Sequence, residues 1–256
     1  MMHRNSYPDL AGAVVVVTGG ASGIGESIVR AFCDQGAKVS LLDIDIAAGE
    51  ALAGEMNKGG GESRALFLKC DVTDVEALRA AIERSGRTLG PAATLVNNAA
   101  NDLRENFEEV TAEHFDRMMG VNLKHVYFAS QAILPQMRAL GGGSIINMSS
   151  GAWVAGAPDS TSYCAAKAAI VGLTNSLARR LGDDKIRVNA IAAGAVRTPR
   201  QMQLWHTEAT MSAVIAQQCI HEQLLPEHIA RCVMFLASSD SDMITKQLIF
   251  VNGGLR

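Results

Sequence analysis

The 256-residue chain predicts an α/β fold, a doubly wound parallel sheet with helices on both faces. Three observations lead there. Short β-branched runs alternate with longer amphipathic stretches almost end to end. Several of the short runs are apolar throughout, as strands covered on both faces are. A glycine-rich turn directly follows the first of them. Taken in order, strands are expected at 14–17 (VVVV), 38–42 (KVSLL), 65–69 (ALFLK), 94–97 (TLVN), 144–148 (SIINM), 187–191 (RVNAI) and 247–251 (QLIFV). Between them the pattern predicts helices over 24–35, 46–57, 74–85, 111–139, 161–181 and 226–237. GGGE and GGGS are loops between elements. No repeat, Pro/Ser-rich linker or low-complexity tract divides the chain, so a single domain over 1–256 is expected. One longer insertion, about 199–225, carries Trp205, His206 and Met-rich flanks and has the makings of a lid over a pocket; a packed surface helix is the plainer alternative.

Bulk properties exclude several classes. Hydrophobic residues make up 48% and charged residues 19%, the balance of an ordinary globular chain. A net charge of −3 gives no cause to expect nucleic acid or an anionic membrane as partner. The five cysteines, at 33, 70, 164, 219 and 232, are odd in number and form no C-x-x-C pair, which points to reduced thiols in a cytoplasmic protein. The N-terminal MMHRNSYPDLAG lacks a signal-peptide core, and no stretch approaches the ~18 apolar residues of a membrane span. The six histidines include no H-E-x-x-H or similar pairing, so no metal site is expected.

The glycine turn is Thr18-Gly-Gly-Ala-Ser-Gly-Ile-Gly25. Gly19 allows a tight turn, Gly23 lets backbone approach a pyrophosphate, and Gly25 lets helix and strand pack closely. The N–H groups of the helix that opens there favour phosphate. Asp43 ends the next strand, where a carboxylate accepts both ribose hydroxyls of NAD and repels a 2′-phosphate. Ser22 stands in the turn where a cation would be needed for that phosphate, so NAD is expected rather than NADP. Asp71, closing LFLKCD, is placed to accept from an adenine amine; capping the next helix is an equally ordinary use.

In TSYCAAKAAIVGL, Tyr163 and Lys167 stand four apart and so share a helical face. Alone, the pair also fits a lysine snorkelling past a tyrosine. A free phenol has a pKa of ~10, and bringing it near ~7 takes roughly 4 kcal/mol of differential stabilisation. A neighbouring ammonium and a cationic nicotinamide have the sign that this needs.

As a set, TGGASGIG, CDV, NNAA, the Asn122 of MGVNL, INMSS and Tyr163-x-x-x-Lys167 resemble the short-chain dehydrogenase/reductase family across essentially the whole chain. The resemblance implies a seven-stranded Rossmann sheet, a homotetramer, and alcohol–carbonyl redox chemistry with a nicotinamide cofactor. It implies a catalytic group of Asn122, Ser150, Tyr163 and Lys167, the family serine lying 13 residues before the tyrosine and so selecting Ser150 over Ser149. The cofactor set it implies is Gly19, Ser22, Gly23, Ile24, Gly25, Asp43, Ile44, Asp71, Val72, Asn98, Ala99, Ala100, Val196 and Thr198, with Tyr163 and Lys167 touching it as well. In this scheme Tyr163 takes the hydroxyl proton, Ser150 holds the substrate oxygen, Lys167 holds the nicotinamide ribose, and Asn122 anchors a water. Four positions depart from the family pattern: Ala100 for the Gly of NNAG, Ala193 for the Pro of the PG loop, Lys246 for the Gly of ITG, and Asn252 for the Asp of VDGG. Lys246 is expected to be strained if its turn needs φ > 0.

NNAANDLRENF, TPRQMQLWHTEA and IAQQCIHEQLLPE are further similar to bacterial aldose 1-dehydrogenases, which act on D-xylose, L-arabinose or related sugars. That implies a substrate set of Asn101, Asp102, Arg104, Ser150, Trp153, Tyr163, Gln201 and Trp205, with oxidation of the anomeric carbon to a lactone. Amides and carboxylates pair with ring hydroxyls, and an indole covers a C–H face. Alternatively, Asp102 and Arg104 pair with each other on a surface loop and Trp205 packs the lid. A polyol or other secondary alcohol as substrate is the other enzymatic reading; an NAD-binding regulator without activity is the non-enzymatic one.

Overall fold

The computed structural model describes residues 5–58 and 64–255; the GGGE loop lies outside them. The order is β1 (Val14–Thr18), α1 (Gly23–Asp34), β2 (Lys38–Asp43), α2 (Ile46–Met56), β3 (Ala65–Lys69), α3 (Val75–Leu89), β4 (Ala92–Asn97) and α4 (Ala112–Met119). A π-turn (Gly120–Lys124) joins α4 to α5 (His125–Ala139). Then follow β5 (Gly143–Ser150), α6 (Ala152–Ala155), α7 (Thr161–Leu181), β6 (Ile186–Ala193), α8 (Pro199–Leu204), α9 (Glu208–Ala216), α10 (Pro226–Ala237) and β7 (Leu248–Val251). The seven strands form one sheet in the order β3-β2-β1-β4-β5-β6-β7, every pair parallel.

The apolar runs work as two-faced strands. In β1, Val15 and Val17 pack with Ile28 and Phe32 of α1 and Val233 of α10 on one face. Val14 and Val16 point the other way, to Leu78 and Ile82 of α3, Ile133 and Met137 of α5, and Leu181 of α7. Each such fully buried side chain contributes roughly 1.5–3 kcal/mol. The chain winds outward from β1 through β2 to β3, then returns to β4 on the opposite side. That reversal leaves a crevice at the carboxyl ends of β1 and β4, the place where open α/β sheets bind ligands.

A buried polar chain fixes α7 against the sheet. Asn97 Nδ2 donates to Asn147 Oδ1 (2.8 Å), its register partner on β5, and Asn147 Nδ2 donates to Thr174 Oγ1 on α7 (3.0 Å). All three residues are buried, and buried polar groups paired in this way hold neighbouring elements in one arrangement.

Four expectations are refined. The 111–139 helix carries a π-turn, where His125 N–H reaches Gly120 O across five residues. The wider turn swings Asn122 inward, where its amide bonds backbone 21 residues away. Helix α3 continues to Leu89 and stops at Gly90, whose φ is +99°. Strands β5 and β6 pair out to Ser150↔Ala193, so both serines of INMSS lie on the strand. The 199–225 insertion contains two helices, α8 and α9. All five cysteines are unbridged, and no helix among the described residues is long and apolar enough to cross a membrane.

Candidate active site

A cleft of about 1170 Å³ runs along the carboxyl edge of the sheet. At one end lies the glycine turn. Gly19 and Gly23 have φ of +63° and +57°, a region costly to any other residue, and a Cβ on Gly25 would sit 1.9 Å from Gly19 O. Ser22 precedes α1 without a side-chain cap, so the first N–H groups of the helix face the cleft without that competitor. Thr18 Oγ accepts from the N–H groups of Asn98 and Ala99 (3.0 and 3.1 Å), and Asn98 Nδ2 donates to Gly19 O (2.8 Å). The turns after β1 and β4 are thereby tied together. This is a cradle that side chains would fill and that backbone donors line, and it fits a dinucleotide pyrophosphate.

Asp43 orients its carboxylate by accepting from Ala21 N–H (3.0 Å) and Asp45 N–H (3.1 Å), one bond to the glycine turn and one to its own loop. Ile44 beside it is exposed at the cleft. Asp71 does not cap the following helix; Asp74 does, accepting from Glu76 and Ala77 N–H. Asp71 instead holds Thr73 through one oxygen (Oδ1 to Thr73 N, 2.9 Å) and lines the cleft with Val72. On the far wall, Thr198 caps α8 and stands opposite Gly23, its Cγ2 3.4 Å from where a Cβ there would lie. Ile24, Ala100 and Val196 complete this lining.

Ser150, Tyr163 and Lys167 meet at the middle of the cleft. Ser149 is committed elsewhere, donating to Lys167 O (2.8 Å) and accepting from Trp153 Nε1 (3.2 Å). Ser150 Oγ accepts from Ala152 N–H (3.1 Å) and lines the cleft together with Tyr163. Lys167 is 1% exposed; its Nζ donates to Met148 O (2.8 Å) and lies 5.5 Å from the Tyr163 ring centre. Burial pushes the ammonium down to about 8, opposed by the charge of Asp102. The phenol moves against the sequence expectation. Burial pushes it up to about 12; the Ser150 side chain opposes this, and Asp102 adds to it. Desolvation outweighs the helical neighbour because the ammonium turns to a strand carbonyl instead of the phenol oxygen. The carbonyl leaves two of the three Lys167 donors for a bound group such as a ribose.

Asn122 is fully buried behind this group and does not line the cleft. Its Nδ2 donates to Asn101 O (2.8 Å) and Met118 O (3.0 Å), and its Oδ1 accepts from Asn101 N–H (2.9 Å). Both amide donors are therefore used on backbone, which fixes the entry to the loop over 98–106.

Of the expected substrate set, Asp102, Arg104 and Gln201 line the far end of the cleft with Ser150 and Tyr163; Asn101, Trp153 and Trp205 do not. Trp153 is turned away by its bond to Ser149. Trp205 lies under the Arg104 guanidinium, 5.1 Å from ring centre. Asn101 accepts from Arg200 (3.1 Å). Asp102 and Arg104 do not pair with each other: Asp102 pairs with Arg200 (3.1 Å) and Gln201, and Arg104 with Asp159.

A family model described as enoyl-(acyl carrier protein) reductase matches residues 19–256. A probable galactose dehydrogenase of Rhizobium meliloti (strain 1021) is 42% identical over 98% of both chains. The D-xylose 1-dehydrogenase of Caulobacter vibrioides is 39% identical, again over 98% of each. The 3-oxoacyl-[acyl-carrier-protein] reductase of Thermotoga maritima is 33% identical over 96% of this chain and 98% of its own. The chain belongs to the short-chain dehydrogenase/reductase family. It is an oxidoreductase acting on a CH–OH donor, with a small-molecule substrate and a nicotinamide cofactor.

Several residues of this dehydrogenase site escape sequence reasoning. Glu105 accepts from Thr161 Oγ1 (2.6 Å) and Ser162 N–H (2.7 Å) at the start of α7, and from His114 Nε2 (2.8 Å). Burial alone would raise its carboxyl, but these hydrogen bonds hold it below the usual carboxylate range. It anchors the helix that carries Tyr163. Asp159 and Arg200 join the cleft wall, and Asn252 folds the C-terminal turn, accepting from Gly254 N–H (3.0 Å) and donating to Leu255 O (3.0 Å). An Asp there could accept but not donate. The TPRQ sequence, opening on the cleft-lining Thr198, was a usable signal for Arg200; Glu105 and Asp159 had none.

Proposed function

We propose that the protein is an NAD-dependent aldose 1-dehydrogenase that oxidises a cyclic sugar at C1 to its lactone. The observation that carries this reading is that Ser150, Tyr163 and Lys167 line one cleft, with the ammonium 5.5 Å from the phenol ring centre, between a phosphate cradle and a polar cluster. Full-length likeness to a probable galactose dehydrogenase and a D-xylose 1-dehydrogenase supports the sugar class.

As the phenolate, the form that the Lys167 charge and a bound oxidised nicotinamide would favour against burial, Tyr163 takes the C1 hydroxyl proton, and Ser150 holds the same oxygen as it becomes a carbonyl. An oxidised nicotinamide, when bound, supplies the acceptor for the hydride of C1 and a positive charge beside the phenol. Lys167 offers its two remaining donors to the ribose and keeps positive charge near Tyr163. The second lone pair of Asn122 Oδ1 is what remains to anchor a water. Gly19, Ser22, Gly23, Ile24 and Gly25 hold the pyrophosphate. Asp43 reads the ribose hydroxyls, and its charge, with no cation in the turn, favours NAD over NADP.

We further infer a single domain with 199–225 as its lid, a cytoplasmic location and a homotetramer. The exposed Phe115 and Tyr127 on α4 and α5 and Phe250 on the edge strand support that assembly. The test is NADH absorbance over a panel of aldoses and polyols with both cofactors. Aldoses should be oxidised with NAD, releasing acid as the lactone hydrolyses. Turnover confined to polyols, with a ketone formed and no acid, would overturn the aldose reading.

A further inference from the structure

The substrate end of the cleft carries two guanidinium groups, and each already faces a carboxylate. Arg200 lies 3.1 Å from Asp102 Oδ1, and Gln201 Nε2 donates to the other oxygen of the same carboxylate. Arg104 pairs with Asp159 while stacking over Trp205. Among the described residues that line the cleft the other cation is Lys167, which is buried and bonded to Met148 O. His206, near Arg104 and Asp102, is held below its ordinary value by burial and by the Arg104 charge, against the pull of Asp102, so its charged form is disfavoured. The two guanidinium charges at this end are thus balanced within the wall itself.

That balance has a chemical consequence. A carboxylate or phosphate on a substrate binds well where a guanidinium is free to meet it with two parallel donors. Here an anion would have to displace Asp102 or Asp159, and the displaced carboxylate would remain beside it. Neutral hydroxyls face no such exchange. Each carboxylate retains lone pairs and each guanidinium further N–H donors, so a hydroxyl adds a bond without removing an ion pair. Asp102 also acts electrostatically on both Tyr163 and Lys167, which puts its charge within the field of the reacting centre.

We infer that Asp102 and Asp159 are specificity-determining residues: by occupying Arg200 and Arg104 they make the site take uncharged sugars and refuse sugar acids and sugar phosphates of the same ring. This rests on the aldose reading and deepens it. Selection of this kind works through the repulsive element as much as the attractive one.

The test uses the NAD-loaded protein with D-galactose, D-galacturonate and D-galactose 6-phosphate, three substrates with one ring stereochemistry. For the two anions kcat/KM should fall at least ~100-fold below that for galactose. Asp102→Asn keeps a carbonyl oxygen for Gln201 but removes the charge, and Asp159→Asn does the same opposite Arg104. In at least one of them the anion-to-neutral ratio should rise ~10-fold or more. Equal use of all three sugars by the native protein, or a ratio unchanged in both variants, would overturn the inference. If no neutral aldose is oxidised, the aldose reading itself fails; equilibrium binding of the same three sugars then still reports the selectivity and decides it.

Discussion

Gly25→Ala is the sharpest test of the phosphate cradle. The added Cβ would lie 1.9 Å from Gly19 O and 2.8 Å from Asn98 Nδ2, against a 3.0 Å limit that real Cβ atoms essentially never breach. Helix and turn must therefore part by about 1.1 Å. The obstructing atom is backbone, and it is held on two sides. Asn98 Nδ2 donates to Gly19 O (2.8 Å), and Gly19 N–H donates to Leu42 O (2.7 Å). Losing or stretching both bonds costs about 1 kcal/mol each, and overpacking adds about 1–2 kcal/mol. A stability loss of about 3–4 kcal/mol is expected by urea unfolding. Displacing the N-terminus of α1 should also weaken NAD binding at least ~10-fold in a calorimetric titration. Gly54→Ala is the control: it lies exposed in α2, where a Cβ meets nothing within 4 Å. There the better helix former should stabilise by about 0.5–1 kcal/mol. Native-like stability and NAD affinity in Gly25→Ala would refute the reasoning that close packing of this helix builds the site.

The other predictions draw on different parts of the molecule. His125 is fully buried, and burial, aided by the Lys167 charge, pushes its pKa down to about 3. A cation whose folded value lies below its unfolded ~6.5 contributes its full stability above pH 6.5 and loses it as pH falls toward 3. The native protein should therefore lose about 2–3 kcal/mol more than His125→Leu between pH 7 and 4.5 in urea titrations; parallel curves would contradict this. Lys246 occupies φ +65°, so Lys246→Gly relieves about 1–2 kcal/mol of strain against about 0.5–1 kcal/mol of added chain entropy. A rise in Tm of about 1–3 °C is expected; a fall would show that the lysine side chain matters more than its backbone. Asp43→Ala should weaken NAD more than NADP and narrow the preference at least ~10-fold, measured as kcat/KM with each cofactor; an unchanged ratio would show that another group reads the ribose.

The strands were legible because an apolar run such as VVVV has few other uses in a chain of this length, and β1 buries every residue of it. The glycine turn was legible for a related reason: its spacing answers a steric demand, visible in the contacts that Gly19 and Gly25 would make as alanines. Lys246 was foreseen on the same grounds, since a turn built for glycine keeps its φ when glycine is replaced. What stayed hidden depends on contacts between distant positions. The π-turn goes together with Asn122 bonding Asn101, and the charge balance joins Arg104 to Asp159 and Asp102 to Arg200. No local pattern announces such pairs. Trp153 and the Tyr163 phenol show a second limit. Sequence spacing put Lys167 beside Tyr163 and resemblance put Trp153 in the substrate set, but direction and burial then decided the outcome. An indole tied to Ser149 and an ammonium tied to Met148 O are facts of three dimensions.

The central claim is that the Tyr163 oxygen takes the substrate proton beside a bound dinucleotide. Tyr163→Phe removes that oxygen and little else, and the measurement is turnover with the sugar best used by the native protein, alongside NAD affinity. Turnover should fall at least ~1000-fold while NAD affinity stays within about threefold of native. Turnover within tenfold of the native rate would contradict the account.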